Sequence, residues 1–302
     1  MLPSIKCPQC KKTLSTEKNH ILPASNFKTC LRKCINCGIG FSNAKNSPTK
    51  IYEKPAQNIP ASLTKNVEKV LRNSVNERNR LNKLNKFCFS TSEDALTWST
   101  FIYLLNKNRL SDLMSYLNIE TQGSGFLYLW GVDAKEPNNI SNTITQSLKH
   151  ISFDIGENTK SMTDPDVIIH FPNSALIFIE VKYQSGNEIN HSPNKLNKYI
   201  NHDPYLFKDN VMVYDSGHYE LIRNWVIGNS LISDTPFYLI NLGYTSLFND
   251  KNQKKLELFS NSLNCIEGKR VFRKVSWEYL LNSNLFSDSD ILNYLNDKLK
   301  IK

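Results

Sequence analysis

Two consecutive runs, Val167-Ile-Ile-His-Phe171 and Ala175-Leu-Ile-Phe-Ile-Glu-Val-Lys-Tyr183, constrain this chain more than any other feature. Both are rich in β-branched and aromatic residues, and only Pro172-Asn173-Ser174 separates them, which predicts a β-hairpin. The second run is apolar at every position from Ala175 to Ile179. A strand without polar alternation has to be covered on both faces. The fold must therefore place helices on either side of a sheet.

The rest of the chain supplies them. Ser92 is a natural N-cap for a helix from Glu93 to about Leu105, with two acids in its first turn. Further helices are expected over 110–117, 193–201, 218–231, 246–260, 276–283 and 288–299, and strands over Phe126–Trp130, Phe237–Asn241 and 270–275. Residues 133–165 are polar, contain Pro and Gly, and give no clear pattern. The predicted fold class is α/β, a mixed sheet flanked by helices. With 302 residues, 40% of them hydrophobic, the chain can bury one sizeable core and a smaller module.

The smaller module lies at the front. Cys7-Pro-Gln-Cys10 and Cys34-Ile-Asn-Cys37 are two C-x₂-C pairs with 23 residues between them, the spacing of a four-thiolate zinc ribbon. No secretory signal precedes them and no apolar run is long enough to span a membrane, which predicts a cytoplasmic chain whose thiols stay reduced. A structural Zn²⁺ over residues 1–44 follows, with Cys30 a spare thiol able to replace one ligand. Cys88 and Cys265 are isolated and expected to be buried. Residues 45–62 carry three prolines and read as a linker. After them Leu63, Val67, Val70, Leu71, Val75, Leu81 and Leu84 recur at helical spacing, with Lys69, Arg72, Arg78, Arg80 and Lys83 on the opposite face. The expected organisation is a ribbon at 1–44, linker and basic helix at 45–89, and a chemical body at 90–302.

Charge follows the same division. Residues 1–86 hold 17 Lys+Arg against 4 Asp+Glu, whereas residues 87–302 hold 20 against 24. The basic excess at the front fits either a solvated, soluble surface or a polyanion-binding arm attached to a separate chemical body. Lys11, Lys12, Lys28, Arg32 and Lys33 surround the ribbon cysteines and make nucleic acid the expected partner, with protein docking the competing one.

If the hairpin turns around Asn173, cross-strand partners have numbers summing to about 346. Asp166 then faces Glu180, and Asp164 faces Lys182. Glu180 and Lys182 share one face of the strand, with Ile177, Ile179 and Val181 on the other. Two carboxylates and an ammonium at one end of a hairpin suit a hard cation such as Mg²⁺ held beside a phosphate. A plain salt pair and an Asp-Pro-Asp turn would use the same residues. Charges ending an otherwise apolar strand are costly, however, unless paired or ligated. Gln184, on the Lys182 face, Asp164 and Arg223 are weaker candidates; His170 reads as a surface histidine and Trp225 as packing.

Pro165-Asp166, thirteen intervening residues, then Glu180-Val181-Lys182 resembles the signature of the PD-(D/E)XK nuclease superfamily. The resemblance covers about residues 90–245 and implies the restriction-endonuclease-like fold. It implies Asp166 and Glu180 as Mg²⁺ ligands joined by the Val181 carbonyl, and Lys182 as the residue that assists the attacking water. Glu93 or Asp94, on the preceding helix, would add a further acid. The implied activity is that of a DNA endonuclease, foremost a restriction or DNA-defence enzyme, acting as a homodimer to cut both strands. A DNA-repair or mobile-element nuclease and a non-catalytic zinc-ribbon DNA-binding protein are the competing readings.

Overall fold

A computed structural model of the chain describes residues 2–18, 22–139, 143–232, 234–249 and 253–300. Its front is a small β module. The short hairpin β1 (Ile5–Lys6) and β2 (Thr13–Leu14) carries the first cysteine pair. A three-stranded antiparallel sheet follows, β3 (Arg32–Cys34), β4 (Ile39–Phe41) and β5 (Lys50–Tyr52). Gly38 enters the β3–β4 pair with φ +63, and a Cβ there would meet the Gln57 side chain at 2.7 Å. Only glycine satisfies both demands.

The stretch over 45–62 that reads as a linker is built into this module. It contains β5, and β5 is stitched to the next segment: Tyr52 N donates to Cys88 O at 2.9 Å and Ser90 N to Lys50 O at 2.9 Å. Asn58 Nδ2 donates to the carbonyls of Phe87 and Phe89. Pro55 and Pro60 start short 3₁₀ turns rather than leaving the chain free. The helix expected over 63–84 is broken. α1 (Val67–Asn73) and α2 (Arg80–Phe87) are separate, because Val75 is drawn into the core between them and its N–H goes to Trp130 O instead of a helical partner.

Behind this arm lies the α/β body. In chain order it contains α3 (Glu93–Asn106), α4 (Leu110–Tyr116), β6 (Phe126–Leu129), β7 (Val132–Asp133), α5 (Thr143–Asp154), β8 (Val167–Phe171), β9 (Ala175–Val181), α6 (Pro193–Ile200), α7 (Asn210–Ser216), α8 (Tyr219–Ser230), β10 (Phe237–Gly243), α9 (Thr245–Asn249), α10 (Gln253–Ser262), β11 (Arg270–Ser276), α11 (Trp277–Leu281) and α12 (Ser289–Leu299). α5 fills part of the region without a sequence pattern. The helix expected over 246–260 is described as α9 and α10, and residues 250–252 fall outside the described residues.

The six strands form one mixed sheet in the order β11-β10-β9-β8-β6-β7. β9 pairs antiparallel with β8 and parallel with β10, and β10 is parallel to β11. Each parallel pairing needs a long crossover, which α6–α8 and α9–α10 provide. The hairpin register is Val167↔Ile179 through Phe171↔Ala175, with Asn173 at φ +60 in the turn.

Each sheet face has its own core. Ile177, Ile179 and Val181 of β9 pack with α3, α4, α11 and α12, and α1 extends this layer. Leu176 and Phe178 face the opposite layer of α6, α8 and α10. α3 is buried from Ala95 to Leu105, so it is a central helix and not a surface one. α8 approaches the sheet closely at Gly228, where a Cβ would lie 2.1 Å from the Phe237 ring. Among the described residues no helix is long and apolar enough to cross a membrane.

Candidate active site and metal centre

The end of β9 gathers the expected residues. Glu180, 3% exposed, is the register partner of Asn241 on β10. Asp166 stands just before β8 and continues the ladder with its side chain, Oδ2 accepting from Val181 N at 2.9 Å. Lys182 follows β9 and is held by its backbone on both sides: its N–H donates to Leu242 O at 2.7 Å, and its carbonyl accepts from Trp277 Nε1 at 2.9 Å. The Lys182 ammonium donates to Glu180 Oε1 at 2.7 Å and to Glu220 Oε2 at 2.5 Å. The second Glu180 oxygen accepts from Asn224 Nδ2 at 2.8 Å. Glu180 and Lys182 thus share the face that looks toward α8.

Glu93 reaches the same place from α3. Ser92 caps that helix through Ala95 N at 3.2 Å. Glu93 Oε2 accepts from Tyr183 N at 2.6 Å and Ser185 Oγ at 3.1 Å, tying the helix start to the strand end. Beyond it, Asn187 and the fully buried Asn241 exchange two amide hydrogen bonds, which anchors the loop after β9.

Burial governs the charges. It pushes the carboxyls of Glu93 and Asp166 up to about 7 and that of Glu180 up to about 8, against the pull of Lys182. Burial also works against the Lys182 ammonium, but Glu180 and Glu220 outweigh it and hold the amine above its usual range. Glu220 is held below the usual carboxylate range, since Lys182 overcomes its desolvation.

Glu93, Asp166, Glu180 and Glu220 line a cleft of about 850 Å³, whereas Lys182 lines a separate hollow with Tyr183, Tyr244 and Leu247. One wall of the cleft is the arm, through Ser25 of the β module, Asn79 just before α2, and Asn82, Lys83 and Lys86 of α2; the other is the start of α3 and the hairpin end. The basic face of the arm therefore splits in two. Lys86 is exposed to the cleft, whereas Lys83 is 6% exposed, its Nζ 3.3 Å from Asp164 and 3.8 Å from Asp94 and 4.8 Å from the centre of the Trp130 ring.

Expectations hold for some of these residues and change for others. Asp164 faces Lys83 and not Lys182. His170 lies within β8, opposite Leu176, at the far end of the hairpin. Trp225 is fully buried, its Nε1 on Leu206 O. Gln184 and Arg223 line the cleft. Arg32 is no surface cation: it is fully buried and donates to the carbonyls of Pro3, Ser42 and Ala44. Glu220, Asn224 and Lys83 are the site residues that sequence reasoning missed. The first two follow the spacing of one stripe on α8, polar positions on a helix otherwise turned to the core.

At the front, the Sγ atoms of Cys7, Cys10, Cys34 and Cys37 lie within 4.8 Å of one another. Both knuckles are preformed: Lys11 N donates to Cys7 O at 3.0 Å, and Gly38 supplies the left-handed residue after Cys37. Four soft donors in a closed cluster fit a structural metal such as zinc. Cys30 is not a spare ligand. It packs with Phe27 and Ile51 in a separate apolar cluster, and burial pushes its thiol up to about 11. Cys265 is exposed and Cys88 buried. Among the described residues the four cysteines are the group of three or more candidate ligands drawn within that distance; the cleft acids stand further apart.

No protein-family model, no curated protein and no solved structure matches the chain.

Proposed function

We propose that the chain is a divalent-metal-dependent DNA endonuclease of the PD-(D/E)XK type, with a restriction-endonuclease-like body and a DNA-gripping zinc ribbon. The observation that carries this reading is the convergence of Asp166, Glu180 and Glu93 on one cleft, from two strand ends and a helix start, with the Lys182 ammonium 2.7 Å from Glu180 Oε1. An all-oxygen set of buried carboxylates suits a hard cation such as Mg²⁺. Asp166 and Glu180 would hold it, joined by the Val181 carbonyl, with Glu93 a further acid beside them. When bound, such an ion offsets charge on the phosphate and makes a water easier to deprotonate.

The remaining work belongs to the chain. In hydrolysis a water oxygen bonds to phosphorus, the bond to the 3′ oxygen breaks, the water loses a proton, and the 3′ oxygen gains one. Lys182, kept charged by Glu180 and Glu220, orients that water and offsets the developing negative charge. Asn224 holds Glu180, and the Trp277 indole fixes the Lys182 backbone. The basic excess of residues 1–86 supports DNA as the partner, and one site per chain implies two chains for a double-strand cut.

A second reading, a non-catalytic zinc-ribbon DNA-binding protein, is favoured by one observation: both Glu180 oxygens are engaged and the acids are not drawn together. Plasmid cleavage by the purified chain separates the two. Mg²⁺-dependent cutting that Glu180→Gln and Lys182→Met each abolish supports the nuclease. DNA binding without cutting, or cutting unaffected by both substitutions, removes it. Plain duplex, branched and single-stranded substrates then distinguish a restriction or defence enzyme from a repair or mobile-element nuclease.

A further inference from the structure

We propose that the Lys83 ammonium is a built-in cation of the cleft, filling the place where a two-ion nuclease would hold its second metal, so that each chain takes a single divalent ion there. This rests on the nuclease reading and specifies its metal content. Lys83 lies on α2, outside the hairpin and in the arm that sequence patterning sets apart from the chemical body. Yet it is buried, and its ammonium lies 3.3 Å from Asp164 and 3.8 Å from Asp94. Those two acids stand two residues from Asp166 and one from Glu93 in the chain. The Trp130 ring, 4.8 Å from Nζ, lies against the same ammonium. Without Lys83, Asp94 and Asp164 would be two half-buried carboxylates facing each other, with the longer-range pull of Lys86 on Asp94 left to offset them, an arrangement that draws in a cation. With it, one of the two negative charges on this flank is already balanced.

A merely structural ion pair would leave metal content unchanged when it is altered, whereas a standing-in cation would not. Titration of the zinc-loaded full chain with Mn²⁺, followed by loss of the free-ion paramagnetic signal, reads this directly. The expected stoichiometry is one Mn²⁺ per chain, lost in Glu180→Gln. Lys83→Met is expected to raise it to two, and Lys83→Arg, which keeps the charge, to leave it at one. Two Mn²⁺ in the unaltered protein, or one in folded Lys83→Met, overturns the proposal. Should Lys83→Met fail to fold, the stoichiometry of the unaltered protein still decides. An unaltered chain that takes up no Mn²⁺ in the cleft removes the nuclease reading itself, a result distinct from taking up two.

Discussion

The Lys182 ammonium lies 2.5 Å from Glu220 Oε2, a residue of α8 that is 38 positions away in the chain. This second carboxylate leaves the amine paired even while Glu180 is engaged elsewhere. Glu220 is a positioning residue on this view. Glu220→Gln is expected to lower kcat by about 10- to 100-fold, with KM for DNA little changed, and Glu220→Asp to restore part of the loss. Single-turnover cleavage with saturating enzyme measures it; an unchanged kcat in Glu220→Gln would place the residue outside the reaction.

Lys86 and Lys83 are three residues apart on α2 and differ in burial, so they should differ in their effect on DNA binding. Lys86 is exposed on the cleft wall and free to meet a phosphate. Lys86→Ala should weaken binding to any sequence and reduce the slope of log affinity against log salt by about 1. Fluorescence anisotropy over a salt series tests this, and an unchanged slope rules out a phosphate contact.

Metal at the front of the chain should be zinc, bound once and without Cys30. Purified protein is expected to release one Zn²⁺ on thiol modification, to keep it in Cys30→Ser, and to lose it in Cys34→Ser. Because β5 ties the module to residues 88–90, metal loss should lower the melting temperature of the whole chain by at least about 5 °C. Retention of zinc in Cys34→Ser would contradict the ligand set.

His218 confers acid sensitivity. It is 1% exposed, neither ring nitrogen has a hydrogen-bond partner among the described residues, and burial pushes its pKa down to about 4. Lys255 and His191 act in the same direction, and Glu220 opposes them. Below its ordinary pKa the unfolded chain takes up a proton here that the folded chain refuses. Stability is therefore lost as pH falls from about 6.5 toward 4, by on the order of 2–3 kcal/mol. Urea unfolding at several pH values should show a flatter acid limb in His218→Phe than in the unaltered chain; parallel limbs would refute the assignment.

The hairpin was the most legible part of the molecule, because an unbroken apolar run, a turn residue able to take positive φ and strict alternation leave a single register. Asp166, Glu180 and Lys182 followed from it. What sequence could not show was which distant elements would close around them. Glu220 and Asn224 are a polar stripe on a helix that reads as packing, and nothing local marks the partner. Lys83 and Arg32 read as surface cations in the sequence because periodicity gives a face but not what covers it. In the arm, the gap between Val75 and Leu81 was the true signal, a break between two helices rather than a lapse in one.

Residues near position 298 hold together parts of the chain made long before them. The Lys298 ammonium donates to Ser90 O at 2.6 Å and Asn58 Oδ1 at 3.1 Å, its carbonyl accepts from the Tyr183 hydroxyl, and Tyr244 Oη donates to Leu299 O at 2.8 Å. Vectorial synthesis consequently delivers the ribbon well before this clasp. A nascent polypeptide with α12 still inside the ribosome has its hairpin and its thiolate knuckles but no clasp joining them. The join between the cysteine module and the α/β body would then close only once α12 has emerged.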